Sequence, residues 1–477
     1  MRGAWRAADV RAAEQTLMAQ LPAGTLMARA AAGLARRCAI TLRSGSRGKV
    51  YASRVLLLVG TGDNGGDALY AGATLARQGA EVRALLLDER RAHVGGLQAL
   101  LAAGGRVVTE FPADIDLVVD GMLGIGASGP LRGPALAALE KLDALASRPA
   151  VIAVDVPSGV AVDTGDVPGP AVRADVTVTF GVLKPALVVG PAAPLAGQVE
   201  LVDIGLTMTA DPAVRIAELS DVEEWWPHPG PMSDKYSRGV VGLATGSAAY
   251  PGAALLSTAG ALAGPAGMVR YAGAAHSIVA TLHPSVVVAS RVADAGRVQA
   301  WVCGSGLSTD RRAREELRAV LASPVPAVLD ADAITMLVDG THAAELRARD
   351  APTVLTPHDG EFKRLAGSAP EADRVGAALT LAAWTRSVVL LKGDRTIVAA
   401  PDGEAWANPT GSPALATAGS GDVLGGLLGA LLAAGLPATR AAVTAAYLHG
   451  LAGRAAAASG TVTSADIAAE LRSVVPR

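Results

Sequence analysis

The sequence predicts an α/β protein of two three-layer domains, and three observations carry that expectation. Short runs rich in Val, Ile and Leu alternate with Ala-rich amphipathic stretches along most of the chain. That alternation is interrupted once, between Ile204 and Gly239. The 477 residues amount to two or three domains of ordinary size.

In the first half, strands are expected at residues 55–59, 82–87, 117–119, 151–154 and 176–180, with helices at 68–78, 94–103 and 134–146 between them. A further helix, roughly residues 8–37, precedes the first strand as a flanking element. The pattern breaks where residues 207–211 turn polar before Pro212 and where Trp225, Trp226 and three prolines crowd residues 223–231. The boundary falls there, giving domains of residues 1–213 and 214–477. In the second series the strands are expected at 240–244, 277–282, 300–303, 327–330, 353–356, 388–392 and 396–399. A Gly/Ala-rich helix over 422–434 and another over 440–457 close the chain. Such alternation builds a parallel sheet with helices on both faces. No repeat period relates the halves.

Lysine and arginine number 42 against 44 aspartate and glutamate, a net charge of −2 that leaves no basic footprint for nucleic acid or an anionic membrane. Small molecules remain as partners. Hydrophobic residues make up 51 % of the chain, which excludes wholesale disorder. Pro251, Pro265 and several glycines interrupt the long uncharged stretch 239–269, so no membrane span is expected. Cys38 and Cys303 are too few for a disulfide framework or a four-ligand zinc site and read as buried thiols. The opening residues MRGAWRAAD lack the apolar core of a secretory signal, and a cytoplasmic location is expected.

The strand at 55–59 runs straight into Gly60-Thr61-Gly62-Asp63-Asn64-Gly65-Gly66-Asp67. Its first six residues satisfy G-x-G-x-x-G, and Asp88 ends the next strand, as in a dinucleotide-binding turn. Such a turn aims backbone N–H groups at a diphosphate, which carboxylates at Asp63 and Asp67 would repel. With the carbonyl oxygen of Asn64 between them, the turn suits a hydroxylated ligand or a cation better. Two more polar turns follow strand ends: one runs from Asp120 through Gly124 to Pro130, the other is Asp155-Val156-Pro157-Ser158-Gly159. Parallel strands end on one edge, so Asp67, Asp120, Asp155 and Ser158 can meet in one crevice. The hard oxygens of Asn64, Asp120 and Ser158 suit an alkali cation, leaving Asp155 for proton transfer.

The segments GTGDNGGDA, VDGMLGIGASGPLRGP and AVDVPSGVAVDTG resemble the epimerase domain of the bifunctional NAD(P)H-hydrate repair enzymes, over about residues 10–210. The resemblance implies a Rossmann-like fold that binds the hydrated, damaged form of NADH or NADPH together with a potassium ion. It places Asp63, Asn64, Gly65, Gly66 and Asp67, then Gly124, Ile125, Gly126, Ala127, Ser128, Gly129 and Pro130, and finally Asp155 along the substrate. Asn64, Asp120 and Ser158 would hold the potassium ion. The family usually has Asn where this chain has Asp63.

In the second half, Thr417-Ala418-Gly419-Ser420-Gly421-Asp422 opens the uncharged helix. Successive N–H groups at a helix start form an anion hole for a phosphoryl group, and Asp422 at its mouth can accept a proton from an attacking hydroxyl. Lys392-Gly393-Asp394-Arg395-Thr396 follows a strand and can reach a nucleotide, and Thr356-Pro357-His358-Asp359-Gly360-Glu361-Phe362 is another strand-end turn. With SDKYSRG at 233–239, ATGSAAYPGAA at 244–254, CGSGL at 303–307 and LDADAI at 329–334, these segments resemble the ribokinase-like superfamily. Within it they are similar to the ADP-dependent NAD(P)H-hydrate dehydratases, over about residues 220–475. The resemblance assigns Ala254, Gly306, His358 and Asp422 to the hydrated cofactor, and Lys392, Gly393, Asp394, Arg395, Thr396 and Gly421 to the adenine nucleotide. Magnesium would bridge the diphosphate. The family commonly has His where this chain has Asp234.

Together the resemblances imply repair of a nicotinamide cofactor. The first domain interconverts the R and S hydrates; the second dehydrates the S form with ADP, releasing AMP and phosphate. A homo-oligomer acting on small molecules, without nucleic acid or membrane, is expected. Two other readings compete: a ribokinase-like small-molecule kinase with an N-terminal regulatory binding domain, and an NAD-dependent oxidoreductase, for which no complementary catalytic constellation is visible.

Overall fold

A computed structural model describes residues 1–126 and 129–476. The chain forms two compact units, Gly3–Ala213 and Val214–Arg477, with Met1 and Arg2 grouped with the second.

The first unit opens with α1 (Ala7–Met18) and α2 (Thr25–Ser44). The single helix expected over 8–37 is thus two helices. Pro22 cannot continue α1, and Gly24, at φ +80°, is the N-cap of α2. There follow β1 (Arg54–Val59), α3 (Asp63–Arg77), β2 (Glu81–Leu86), α4 (Val94–Ala102), β3 (Arg106–Val108) and β4 (Leu117–Gly121). Then come α5 (Gly133–Asp143), β5 (Ala150–Val154), β6 (Val176–Phe180) and β7 (Gln198–Val202). The strand order is β3-β2-β1-β4-β5-β6-β7, parallel throughout. Side chains alternate across the sheet. Val55, Leu57 and Val59 pack with Leu34, Cys38 and Leu69 from α2 and α3. Leu56 and Leu58 pack with Leu139 and Leu142 from α5. Each such burial stabilises by roughly 1.5–3 kcal/mol. The chain leaves β1 in one direction and returns to its other side at β4, so a crevice opens at their C-terminal ends.

The second unit contains β8 (Val214–Ile216), α6 (Leu219–Trp225), β9 (Val240–Ala244), α7 (Pro251–Ala263), β10 (Met268–Ala272), α8 (His276–Leu282), β11 (Val287–Ala289), β12 (Ala300–Cys303) and α9 (Arg311–Ala322). It continues with β13 (Ala327–Leu329), α10 (Asp332–Leu337), α11 (Thr341–Arg347), β14 (Thr353–Leu355), α12 (Asp359–Ala366), α13 (Arg374–Thr385), β15 (Val388–Leu391), β16 (Ile397–Ala399) and β17 (Ala405–Ala407). Helices α14 (Ser420–Ala433), α15 (Ala438–Ala458) and α16 (Ser464–Val474) complete it. The strands run β8-β17-β16-β15-β14-β13-β12-β9-β10-β11, and β16 is antiparallel to both of its neighbours.

The strand expected over 277–282 is α8 instead. Only Val279 of that segment is fully buried while Ile278 and Leu282 are exposed, which is helical rather than alternating burial. The parallel neighbours β10 and β11 also require a crossover between them. The glycines of α14 let two helices touch: a Cβ on Gly426 would lie 2.0 Å from the Ser257 carbonyl oxygen of α7. Among the described residues no helix is long and apolar enough to cross a membrane.

Candidate active sites

In the first unit the chain leaves β1 at Gly60, whose N–H donates to Gly121 O at 3.0 Å. A Cβ there would lie 1.8 Å from Met122 O, so the first glycine of the run serves the approach of the β1 and β4 turns. Asn64, on the first turn of α3, donates its amide to Leu123 O (3.0 Å) and Val154 O (2.6 Å). Both protons are used, which leaves Oδ1 as the free acceptor. Asp120, at the end of β4, is fully buried and accepts from the Ser158 hydroxyl (2.6 Å), Ser158 N (2.8 Å) and Met122 N (3.3 Å). Burial pushes its carboxyl up to about 6 against those bonds.

The three residues expected to hold potassium are linked by hydrogen bonds: Asn64 donates to Leu123 O, Leu123 N donates to the Ser158 hydroxyl at 3.0 Å, and Ser158 donates to Asp120, whose carboxyl has no cationic partner among the described residues. That donor set fits a monovalent alkali ion.

Asp155 follows β5 with φ +66°, a conformation non-glycine residues seldom adopt and which persists where the surroundings impose it. Its Oδ1 accepts from Thr179 Oγ1 (2.9 Å), Phe180 N (3.3 Å) and the ammonium of Lys184. Lys184 is 1 % exposed and also donates to Thr179 Oγ1 (3.1 Å) and Phe180 O (3.0 Å). Sequence reasoning missed this lysine; the signal was a lone cation in the apolar stretch after β6.

Helix α1, expected only to flank, reaches the same site. Arg11 donates to Ile125 O at 2.9 Å, tying α1 to the loop after β4. Burial raises the Glu14 carboxyl, with Lys184 opposing and Asp155 and Asp63 adding. Asp67 is 5 % exposed, and its Oδ1 has no hydrogen-bond partner. Burial lifts it well above the carboxylate range, and the charges of Asp155, Asp63 and Glu14 lift it further. Asp63 is exposed, Gly65 and Gly66 are buried, and Gly124, Ile125, Gly126, Gly129 and Pro130 line the partly open loop. Ala127 and Ser128 lie outside the described residues.

In the second unit, α14 is capped by Gly419 at φ +83°, so Ser420, Gly421 and Asp422 form its first turn. Ser420 Oγ meets His449 Nε2 of α15 at 3.1 Å, and burial drives that imidazole down to about 4, leaving it neutral. Burial pushes the Asp422 carboxyl up to about 7; Asp330 adds to the rise, while the Ser305 hydroxyl and Lys392 oppose it. Asp330, just after β13, is buried and accepts from Lys392 Nζ (2.8 Å), Thr356 Oγ1 (2.7 Å) and Ser305 Oγ (3.1 Å). Glu361 stands 3.6 Å from the same ammonium. Burial alone would lower Lys392, but Asp330 and Glu361 outweigh it and hold the ammonium above its ordinary value. Asp330, Ser305 and Glu361 belong to quoted segments, yet their convergence was not legible there.

His358 caps α12: its Nδ1 accepts from Gly360 N at 2.9 Å, and its own N–H donates to Glu361 Oε2 at 2.9 Å. Ala254 is fully buried on α7, and Gly306, at φ +62°, packs beside the same helix. Gly393 and Asp394 are exposed, and Arg374 holds Lys392 O at 3.0 Å. The Arg395 guanidinium reaches Pro409 O at 3.3 Å, and Thr396 Oγ1 donates to Gly393 O at 3.1 Å. Gly421 faces this group: a Cβ there would lie 3.5 Å from Lys392 Nζ. Asp234 accepts from the N–H groups of Tyr236 (2.7 Å) and Ser237 (2.8 Å) in an exposed turn. Among the described residues no group of three or more His, Cys, Asp or Glu could hold a metal ion.

A parallel α/β unit with its polar cluster at the switch point, followed by a ribokinase-like unit with a carboxylate on the first turn of a helix, defines a two-domain enzyme class. The second unit matches a crystal structure of a ribokinase-like superfamily protein from Enterococcus faecalis V583 at 26 % identity and a TM-score of 0.51, covering 56 % of this chain and 96 % of that one. Residues 241–477 match the family described as NAD(P)H-hydrate dehydratase, and residues 23–186 the YjeF-related protein N-terminus. The chain is 50 % identical over 444 residues to the bifunctional NAD(P)H-hydrate repair enzyme Nnr of Mycobacterium tuberculosis (strain CDC 1551 / Oshkosh), covering 93 % of this chain and 91 % of the relative. It is 38 % identical over 504 residues to the enzyme of the same name from Corynebacterium glutamicum, covering 89 % and 86 %. The chain belongs to the family of bifunctional NAD(P)H-hydrate repair enzymes.

Proposed function

We propose that the first unit epimerises hydrated NADH and NADPH and that the second dehydrates the S epimer at the expense of ADP. The observation that carries this reading is Asp422: a half-buried carboxyl pushed up to about 7, on the first turn of α14, beside a lysine held by a different aspartate. A carboxylate with that affinity for protons is matched to accept one from a hydroxyl near neutrality.

In the dehydratase, Asp422 takes the proton of the ring hydroxyl as its oxygen attacks the β-phosphorus of ADP, and AMP leaves. The ring nitrogen lone pair then expels phosphate, and loss of the neighbouring proton restores the double bond. The N–H groups of α14 face the charge that develops on the phosphoryl oxygens. Lys392, Gly393, Asp394, Arg395, Thr396 and Gly421 would border the nucleotide, and Ala254, Gly306 and His358 the hydrate. Magnesium, when bound, would neutralise diphosphate charge, held through the phosphates and water rather than by a carboxylate cage.

In the epimerase, Asn64, Asp120 and Ser158 would hold potassium, which would supply positive charge against the buried Asp120. The three turns ending β1, β4 and β5 would border the substrate. A cytoplasmic homo-oligomer completes the reading; gel filtration and cell fractionation test that part.

The test is recovery of NADPH absorbance from a mixture of both hydrate epimers with magnesium and potassium, with and without ADP. Full recovery that requires ADP is expected. Recovery that stops at the fraction present as one epimer would remove the epimerase assignment. No recovery with either ADP or ATP would remove the dehydratase and return the small-molecule kinase.

A further inference from the structure

We propose that Asp67 is the proton donor of the epimerisation, working with Asp155 as proton acceptor. The inference rests on the epimerase reading of the first unit and adds a role for a second carboxyl group.

The two carboxyls share the C-terminal edge of one sheet but have opposite surroundings. On Asp155, Oδ1 receives three donors, one of them the Lys184 ammonium, so that oxygen has no room for a proton. Oδ2 takes none of these bonds and is left for chemistry. Asp67 is buried on α3, its Oδ1 has no hydrogen-bond partner, and no cation pairs with it among the described residues. The charged groups acting on it are all acidic: Asp63 from its own helix, Asp155 from the turn after β5, and Glu14 from α1. His93, which precedes α4, packs over Gly66 next door, but its Nδ1 is occupied by Gly96 N at 3.0 Å. Arg11 and Lys184 are spent on Ile125 O and on Asp155. A buried carboxyl facing only carboxylates keeps its proton, and a carboxyl with one oxygen filled by donors offers the other as an acceptor, so the two can act as an acid–base pair.

The chemistry needs such a pair. Hydration of the enamine double bond puts the hydroxyl on the carbon bearing the ring nitrogen. Asp155 Oδ2 takes the hydroxyl proton, the C=O bond forms, the C–N bond breaks, and its electron pair on nitrogen accepts the proton of Asp67. Rotation about the bond to the freed aldehyde exposes its other face. Reclosure returns both protons to their carboxyls, and no further reactant is consumed.

The experiment measures R-to-S exchange of the NADPH hydrate by the full chain, minus uncatalysed exchange, and in parallel the ADP-dependent dehydration of the S epimer. Asp67→Asn keeps the size of the side chain but carries no transferable proton. It is expected to lower the epimerisation kcat at least about a hundredfold while changing KM little, with an unchanged melting transition of the first unit as the sign that this unit is folded and unchanged dehydration as the sign that the second is untouched. A variant that exchanges epimers at the wild-type rate overturns the assignment. Should the variant fail to fold, the wild-type pH profile decides. The exchange rate must fall on the alkaline side as Asp67 loses its proton, and a rate that stays level there overturns the proposal. Wild-type protein that exchanges no epimers at all would sink the epimerase reading itself, a separate result.

Discussion

Both units set an aspartate and a lysine at the C-terminal edge of a parallel sheet, but the lysine is spent differently. In the first unit Lys184 bonds Asp155 itself, on the single oxygen Oδ1. In the second, Lys392 bonds the neighbouring Asp330 at 2.8 Å and leaves Asp422 to feel mainly burial and the Asp330 charge. The carboxyl that owns the cation has an oxygen taken up by an ammonium, and the one without it is lifted by burial and by neighbouring carboxylates. In the first unit the lifted group is Asp67, and in the second it is Asp422. The same pair of residue types thus yields a carboxyl bonded directly to its lysine in one site and a carboxyl pushed up to about 7 in the other.

Removing Asp422 tests the division of labour with the largest effect. Asp422→Asn is expected to lower dehydration by about a thousandfold and to leave epimer exchange untouched, because the two carboxylates lie in separate units. Equal loss of both activities in a folded variant would break the comparison. Lys184→Met comes next. It leaves the buried Asp155 without its cation, so the melting transition of the first unit should fall by an amount on the order of 3–5 kcal/mol of stability, and epimer exchange with it. A variant that melts and exchanges like wild type would mean that Lys184 does not hold Asp155.

The pH dependence of dehydration sharpens the second half of the comparison. The base must be ionised, so the rate should rise as pH passes about 7 and level off above it. The Lys392 charge lowers Asp422, and its removal raises Asp422. Lys392→Met should therefore move the rising limb to higher pH, and a limb that stays in place would deny the coupling. The smallest effect is expected for Asp63→Asn, which restores the residue usual in the family. Asp63 is exposed, and the change in epimer exchange should stay within about threefold.

Much of each candidate site could be proposed before folding because its residues sit in contiguous turns. Asn64 and Asp67 follow β1, Asp120 ends β4, Asp155 and Ser158 follow β5, and Asp422 follows the glycines that start α14. A strand followed by a Gly-rich polar turn is a local signal, and parallel topology brings the turns to one edge. The partners of those residues were not legible. Lys184 is 29 residues from Asp155 and Lys392 is 62 from Asp330, and nothing local marks either pairing. Glu14 and Arg11 read as ordinary exposed positions of a flanking helix until α1 is laid against the loop after β4. The stretch at 277–282 was misread because its apolar residues suit either period when the position of the core is unknown.

By itself the sequence determined the class of each unit, most of its central strands, and the turns that carry the polar residues. Those follow from periodicity, glycine placement and charge over windows of ten or twenty residues. Only the tertiary structure decided what each carboxyl faces. Desolvation and a bonded ammonium act over a few ångströms in space, whatever the separation along the chain, and they set Asp155 apart from Asp67 and Asp422 apart from Asp330.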